Sequence, residues 1–409
     1  MTKPQLSNPF RPGAGHMPPY LAGREDEKQE FARLIKQTTI LENLVLTGLR
    51  GVGKTVLLET LKPIAQAEGW LWVGTDLSET ASLTETNIAT RMLTDLSVAT
   101  SSIVIGHSEG KKLGFSASEE AQPVTLNFQL LAQVYETTPG LPGDKLKAVL
   151  EFVWKHIQGL PGFKGIIFAY DEAQNLADHA DKDQYPLSLL LDTFQSIQRK
   201  EIPFMLALTG LPTLFPKLVE ARTFAERMFR VVFLDKLDEK AVRQAIKIPL
   251  AGHQLQLQDH SIDQIVSLSG GYPYFVQFIC REVYDLFIQK MNMGVTPSVP
   301  REEIVRKLDS DFFAGRWARA TDRQRELLAV VARLEDCSSE FSVQDVVTLS
   351  KEISAKPFSS SHVNQMFSAL SEAGLIYKNR YGKYSFAVPL LGQFIRRQEI
   401  NGLIDVEGA

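Results

Sequence analysis

Eight consecutive residues, Gly48, Leu49, Arg50, Gly51, Val52, Gly53, Lys54 and Thr55, follow the spacing G-x-x-x-x-G-K-T. Glycines at these places let successive backbone N–H groups turn inward as a nest for an anion. A helix starting at the lysine would add its unpaired N–H groups and the positive end of its dipole. Lys54 would reach the outer phosphates of a nucleoside triphosphate, and the Thr55 hydroxyl would ligate Mg²⁺. All eight residues are therefore candidate nucleotide contacts, with ATP and Mg²⁺ as the expected ligands. A second group of chemistry-bearing residues sits in GIIFAYDEAQNL (165–176), where an apolar run ends in Asp171 and Glu172. Carboxylates at the C-terminal end of a buried strand lie where open α/β sheets bind their ligands. Asp171 would share the metal with Thr55, while Glu172 would orient and deprotonate a water. Thr209, at the end of the apolar run FMLAL, would reach that water or the terminal phosphate from a neighbouring strand.

These groups need a sheet to hold them. NLVLTG (43–48), WLWVGTDL (70–77), GIIFAY (165–170), PFMLALTG (203–210) and the end of AERMFRVVFLDKL read as strands, with helical spacing between them. Pro63 is a possible kink in the helix that follows the glycine-rich loop, and Gly69 its stop. Alternation over roughly 43–237 predicts a doubly wound, mostly parallel sheet. Residues 238–310 read as helices. From about 318, helices over 321–334, 342–350 and 359–373 precede a hairpin in GLIYKNRYGKYSFAVP. The organisation expected is an extended Pro/Gly-rich arm over 1–23, a nucleotide-binding core over 24–237, a helical lid over 238–317 and a C-terminal module over 318–409.

Composition bounds what else the chain can be. Its 409 residues are 44% hydrophobic and 22% charged, with 27 Gly and 2 Cys. That excludes a mostly disordered chain, a collagen-like fibre and a disulfide-stapled scaffold. The net charge of −4 leaves no whole-chain basic footprint, so nucleic acid would have to meet a local patch. Cys280, Cys337 and the seven histidines show no metal-ligand spacing. No apolar run suits a membrane span or a secretory leader, so a cytoplasmic protein with no membrane partner is expected.

Taken in order, these motifs resemble the AAA+ ATPases. More narrowly, they are similar to the origin-recognition and replication-initiator group and to the STAND ATPases. AGRE (22–25) resembles an element that lies near the adenine, which makes Arg24 a candidate contact. GGYP (270–273) resembles the STAND lid motif, which implies Tyr272 and Pro273 beside the nucleotide. The resemblance implies a P-loop NTPase parallel sheet with a helical lid, a sensor role for Thr209, and a homo-oligomer in which one subunit's arginine completes the next subunit's site. Arg227 in AERMFRVVFL is the first candidate for that finger, then Arg230 and Arg222. One departure stands out: Tyr274 occupies roughly the position where initiators carry a lid arginine.

Residues 318–400 resemble a winged helix-turn-helix domain. The expected recognition helix, SSSHVNQMFSALSEAG (359–374), starts with serine caps. It would turn Ser361, His362, Asn364 and Gln365 outward and Val363, Met366, Phe367 and Leu370 inward. The wing carries Lys378, Arg380 and Lys383. Over 351–397 there are seven Lys/Arg against two Glu, a surplus that suits the phosphates of double-stranded DNA. Lys111 and Lys112, in a hairpin-like insertion over 100–125, are further candidate contacts. Two other readings remain: a STAND-like signalling ATPase whose winged helix docks a protein partner, and a P-loop kinase that transfers phosphate to a bound hydroxyl rather than to water.

Overall fold

The structure, a computed structural model, describes residues 7–108, 122–253, 255–292, 299–380 and 382–400. Two compact units divide the chain: residues 25–47 with 54–233, and residues 1–24, 48–53 and 234–409.

The first unit is built on a parallel sheet. Its strands are β1 (Asn43–Gly48), β2 (Trp70–Val73), β5 (Gly165–Tyr170), β6 (Phe204–Gly210) and β7 (Phe229–Leu234), in the order β2-β5-β6-β1-β7. The β2–β5, β5–β6 and β6–β1 registers are parallel. Every residue of β1, β5 and β6 is buried, which is why these strands read as unbroken apolar runs rather than alternating ones. Helices α1 (Glu25–Leu34), α2 (Lys54–Ala67), α3 (Glu85–Thr100), α4 (Phe128–Thr137), α5 (Pro142–Ile157), α6 (Pro186–Gln198), α7 (Leu214–Ala221) and α8 (Ala225–Met228) complete the unit. Side-chain oxygens of Thr84 and Asn127 cap α3 and α4. α2 continues through Pro63.

The second strand is shorter than the sequence suggests, ending at Val73 instead of near Leu77. Gly74 explains the break. It adopts φ +136, and a Cβ there would come within 1.8 Å of the Ala169 carbonyl oxygen. The chain passes this point and rejoins β5 further on, where Leu77 N–H donates to Asp171 O at 2.9 Å. In the insertion, β3 (Val104–Ser108) and β4 (Gln122–Thr125) pair antiparallel, so the expected hairpin is present in its arms. Its tip, with Lys111 and Lys112, lies outside the described residues.

In the second unit, α9 (Glu239–Leu250), α10 (Asp259–Ser269), α11 (Pro273–Asn292) and α12 (Arg301–Leu308) form the expected helical segment. A π-helical turn (Asp309–Phe313) and a short α13 (Ala314–Trp317) follow. The sequence had not singled these out, because no glycine or proline interrupts 301–314. The N-terminal arm packs here: Phe10 joins the helical core, and Asn8 Nδ2 donates to Asp285 Oδ1 at 2.8 Å. The C-terminal module comprises α14 (Asp322–Ala332), α15 (Val343–Ile353), α16 (Ser360–Glu372) and α17 (Leu391–Ile400). With them goes an antiparallel sheet of β8 (Phe341–Ser342), β9 (Ile376–Arg380) and β10 (Lys383–Phe386), ordered β8-β10-β9.

One side chain ties the strands that carry the chemistry. Asn43 is fully buried at the start of β1. Its amide donates to Met228 O (3.1 Å) just before β7, and its oxygen accepts from Leu206 N–H (2.7 Å) in β6 and from Gln198 Nε2 (2.8 Å). Asn43→Ala takes this partner from two buried backbone groups, Met228 O and Leu206 N–H, and is expected to cost about 2–4 kcal/mol of stability. A urea titration of both proteins checks this; an unchanged midpoint would refute it.

Candidate active site

The glycine-rich loop leaves β1 at Gly48 and enters α2 at Lys54. Gly51 (φ +83) and Gly53 (φ +89) occupy the left-handed region that side chains disfavour. Gly48 is required for another reason: a Cβ there would meet Leu234 O at 2.4 Å. Two carbonyls of the loop are held by donors. Gly51 O accepts from Tyr274 N–H at 3.1 Å, and Val52 O accepts from Arg24 Nη2 at 3.0 Å. A trans peptide points its C=O and N–H in opposite directions. The Val52 and Gly53 N–H groups therefore face away from these two donors, as a nest for an anion requires.

At the start of α2, Thr55 Oγ1 donates to Asp171 Oδ2 at 2.5 Å. Asp171 is 4% exposed. Its other oxygen accepts Glu172 N–H at 2.7 Å, and its backbone joins the chain at Thr75 and Leu77. Burial raises its pKa, against the lowering effect of the Thr55 hydroxyl and Glu172 N–H; the nearby Glu172 and Asp76 charges add to the rise. A hydroxyl beside a buried carboxylate is a donor set suited to a hard divalent cation. Among the described residues no three His, Cys, Asp or Glu converge into a metal cage. A cation here would draw its remaining ligands from phosphate oxygens and water.

Glu172 follows Asp171 in the left-handed conformation (φ +51), with its side chain exposed. Gln174, which the sequence reading did not flag, holds it: Gln174 Nε2 donates to Glu172 Oε2, while Gln174 Oε1 accepts Leu211 N–H at 3.1 Å. Gln174 thereby joins the acidic pair to the end of β6. Thr209, the penultimate residue of β6, is fully buried, and its hydroxyl has no hydrogen-bond partner among the described residues. The Thr47 hydroxyl at the end of β1 is likewise buried and unpartnered, and Thr47 pairs with Gly210 across the two strands. Buried hydroxyls without partners are rare in folded chains. Two at the ends of neighbouring strands mark a place where a polar ligand or water would be satisfied.

The remaining candidates divide. Arg24 is 5% exposed and donates to backbone carbonyls, Val52 O and Asp235 O (2.7 Å), so part of its guanidinium braces the loop. Tyr272 and Pro273 form a helix corner: Gly270 closes α10 with φ +57, and Pro273 is the first residue of α11. Tyr272 packs edge-on to Phe275, and burial raises its phenol pKa. Of the three arginines near β7, Arg222 forks onto Asp192 (2.8 and 2.7 Å), and Arg230 pairs with Glu30 at 2.6 Å. Arg227 is exposed, and no ion pair involves it among the described residues.

In the C-terminal module, Ser359 caps α16 by accepting His362 N–H. Val363, Met366, Phe367 and Leu370 are buried, while Ser361, His362, Asn364 and Gln365 are exposed, as their spacing suggests. At least three of the seven counted cations have partners within the fold, and Lys383 Nζ lies 3.8 Å from Asp345 Oδ2. Arg397 pairs with Asp309, and Arg396 Nε donates to Ala332 O at 2.6 Å. The basic surplus facing solvent is smaller than the sequence count.

Comparison with known proteins bears on the fold. A Walker-type ATPase of Pyrococcus abyssi superposes with a TM-score of 0.56 at 14% identity, covering 92% of this chain and 96% of that one. The ORC2 protein of Aeropyrum pernix in its ADP form gives 0.53 at 14% identity, covering 94% and 96%. The chain has a P-loop ATPase fold. A family model described as a domain of unknown function (DUF8462) matches residues 310–395. No curated protein matches the chain. Among the described residues, no helix is long and apolar enough to cross a membrane.

The raised pKa of Asp171 has a stability consequence. Between its unfolded and folded values the native chain holds a proton that the unfolded chain has lost, so stability falls as pH rises through that window. Asp171→Asn is expected to melt higher than the parent at neutral pH without nucleotide, with a flatter pH dependence, in thermal melts from about pH 4 to 8. A lower midpoint throughout would show that the carboxylate's hydrogen bonds outweigh its burial.

Proposed function

We propose that this protein is an ATP-hydrolysing switch of the AAA+ type that binds duplex DNA through a C-terminal winged helix. The observation that carries the reading is the Thr55–Asp171 bond at 2.5 Å, with Glu172 next in the chain and a phosphate-type loop leading into Thr55. The domain division it uses is a core over 24–237, a lid over 238–317 and a winged helix over 318–409. ATP lies with its phosphates on Gly48–Thr55, and Lys54 accompanies the outer phosphates. Thr55 and Asp171 hold Mg²⁺, which when bound neutralises phosphate charge. Glu172 takes the proton from a water as its oxygen attacks the terminal phosphorus and the bond to ADP breaks. Thr209 supplies its buried hydroxyl to that water or to the phosphate. Arg24, Tyr272 and Pro273 stand on the adenine side, in keeping with the sequence resemblance.

A replacement that keeps the shape of the base but cannot accept the proton separates binding from chemistry. Glu172→Gln is expected to bind ATP as the parent does while turnover falls by about 10²–10⁴-fold. Equilibrium binding alongside phosphate release checks this, and turnover that survives would remove Glu172 from the role.

The unpaired Arg227 suits a finger donated to a second copy of the chain. ATPase activity per subunit is expected to rise with protein concentration, and to fall by about 10³-fold or more in Arg227→Ala. A concentration-independent rate, unchanged by the substitution, would mean that each copy works alone. The exposed polar face of α16, with Ser361, His362, Asn364 and Gln365, supports DNA as the partner. Affinity for duplex should then decline linearly in log–log form with salt. If no duplex binds at low salt, the second reading takes over, in which the module docks a protein in a STAND-like signalling ATPase.

A further inference from the structure

Glu172 carries the proposed base, yet its side chain is exposed just past the end of β5. An exposed glutamate turns freely among its rotamers unless something holds it. The residue that holds it lies two positions on. Gln174 Nε2 donates to Glu172 Oε2, and Gln174 Oε1 accepts Leu211 N–H at 3.1 Å. The second bond decides the first. Leu211 N–H can only donate, so the amide oxygen must face it and the amide NH₂ must face Glu172. Turning the amide over would lose both contacts.

Gln174 is itself anchored. It lies in a 3₁₀ turn (Ala173–Asn175) in which Ala173 is fully buried. Half-buried Lys217 on α7 donates to Gln174 O at 2.9 Å, and Asn175 Nδ2 donates to Leu77 O at 2.8 Å. Gly210, the last residue of β6, leaves the side chain room: a Cβ there would meet Gln174 Oε1 at 2.7 Å and Gln174 N at 3.3 Å. All of these groups belong to the sheet unit. The turn is tied down through its backbone and its neighbours, while the Gln174 amide spends its two contacts on Glu172 and on the chain that follows Thr209.

We propose that Gln174 is the positioning residue of the hydrolytic base. It clamps Oε2 of Glu172, leaves Oε1 to accept the proton of the attacking water, and sets that oxygen relative to the end of β6 that carries Thr209. The inference rests on the reading of Glu172 as base and adds to it the group that orients it. A base loses rate steeply when it strays from its line of approach, so the supporting side chain must be as firmly placed as the base.

The test compares single-turnover ATP hydrolysis and equilibrium ATP binding, both with Mg²⁺, in the parent and four variants: Gln174→Leu, Gln174→Glu, Glu172→Gln, and Glu172→Gln combined with Gln174→Leu. Gln174→Leu is expected to slow hydrolysis by about 10–10²-fold with ATP affinity within about twofold of the parent. Gln174→Glu keeps an acceptor for Leu211 N–H but turns a like charge toward Glu172, and should be slowed at least as much. A tie between the turn and β6 alone would survive that change, so parental turnover in Gln174→Glu overturns the assignment. Equal losses of affinity and rate overturn it too. Because Gln174 acts through Glu172, adding Gln174→Leu to Glu172→Gln should cost no further rate; a loss as large as in the parent background would show an independent role and overturn the assignment. If Glu172→Gln turns over as the parent does, the base role falls first and this inference with it. If Glu172→Gln is slowed while both single Gln174 variants match the parent, the inference falls alone.

Discussion

A hydroxyl and a buried carboxylate meeting at 2.5 Å, Thr55 on Asp171, set the terms for everything around them. Neither residue can be placed alone. Thr55 is carried on the first turn of α2, and Asp171 stands one residue past β5. Their meeting requires the loop between β1 and α2 to fold back with two residues at positive φ, and β1 to lie next but one to β5 in the sheet. Complete burial of β1, β5 and β6 supplies that order. A strand covered on both faces has few ways to slip in register without leaving apolar groups in water. Asn43 adds directional constraint where apolar packing has none, bonding across β6 and the approach to β7.

The cost of the arrangement is concentrated at the same place. Asp171 is held as a buried carboxylate with a raised pKa, the Thr209 and Thr47 hydroxyls lack partners among the described residues, and Glu172 occupies a left-handed conformation that costs of order 1 kcal/mol or more. Other polar groups of the sheet unit are matched: Asp178 accepts Leu187 N–H, Ser188 N–H and Ser188 Oγ, and Asn175 Nδ2 donates to Leu77 O. Among the described residues Tyr170 Oη and Glu399 Oε1 are also buried without partners, but the Thr47 and Thr209 hydroxyls stand together at the ends of adjacent parallel strands, as a site for a polar ligand would place them.

What the sequence made legible follows from which forces are local. The loop and its flanks were readable because glycine, lysine and threonine at fixed offsets serve one geometry. The buried strands were readable as apolar runs, and α16 as a capped helix whose four inward residues repeat at helical spacing. Gln174 was not readable, since a glutamine two residues after an acid has no periodic meaning. Its role appears only when the end of β6 delivers Leu211 N–H to its other side. The short β2 was hidden for a similar reason, because Gly74 matters through the Ala169 carbonyl, a residue distant in sequence. Tyr274 reads as one more aromatic in YPYFVQF until its backbone N–H is seen to hold Gly51 O.

Charge was the least legible property, and the arginines show why. Counting gave a basic surplus over 351–397, yet Arg396 and Arg397 spend their donors inside the fold. The three arginines before and within β7 are equivalent in composition, while in the structure Arg222 and Arg230 have carboxylate partners and Arg227 has none among the described residues. Arg316 lies in a segment that drew no attention, and in the structure it sits over the Phe312 ring and donates to Phe312 O. A surface ion pair contributes little to stability, so pairing is weak evidence of purpose.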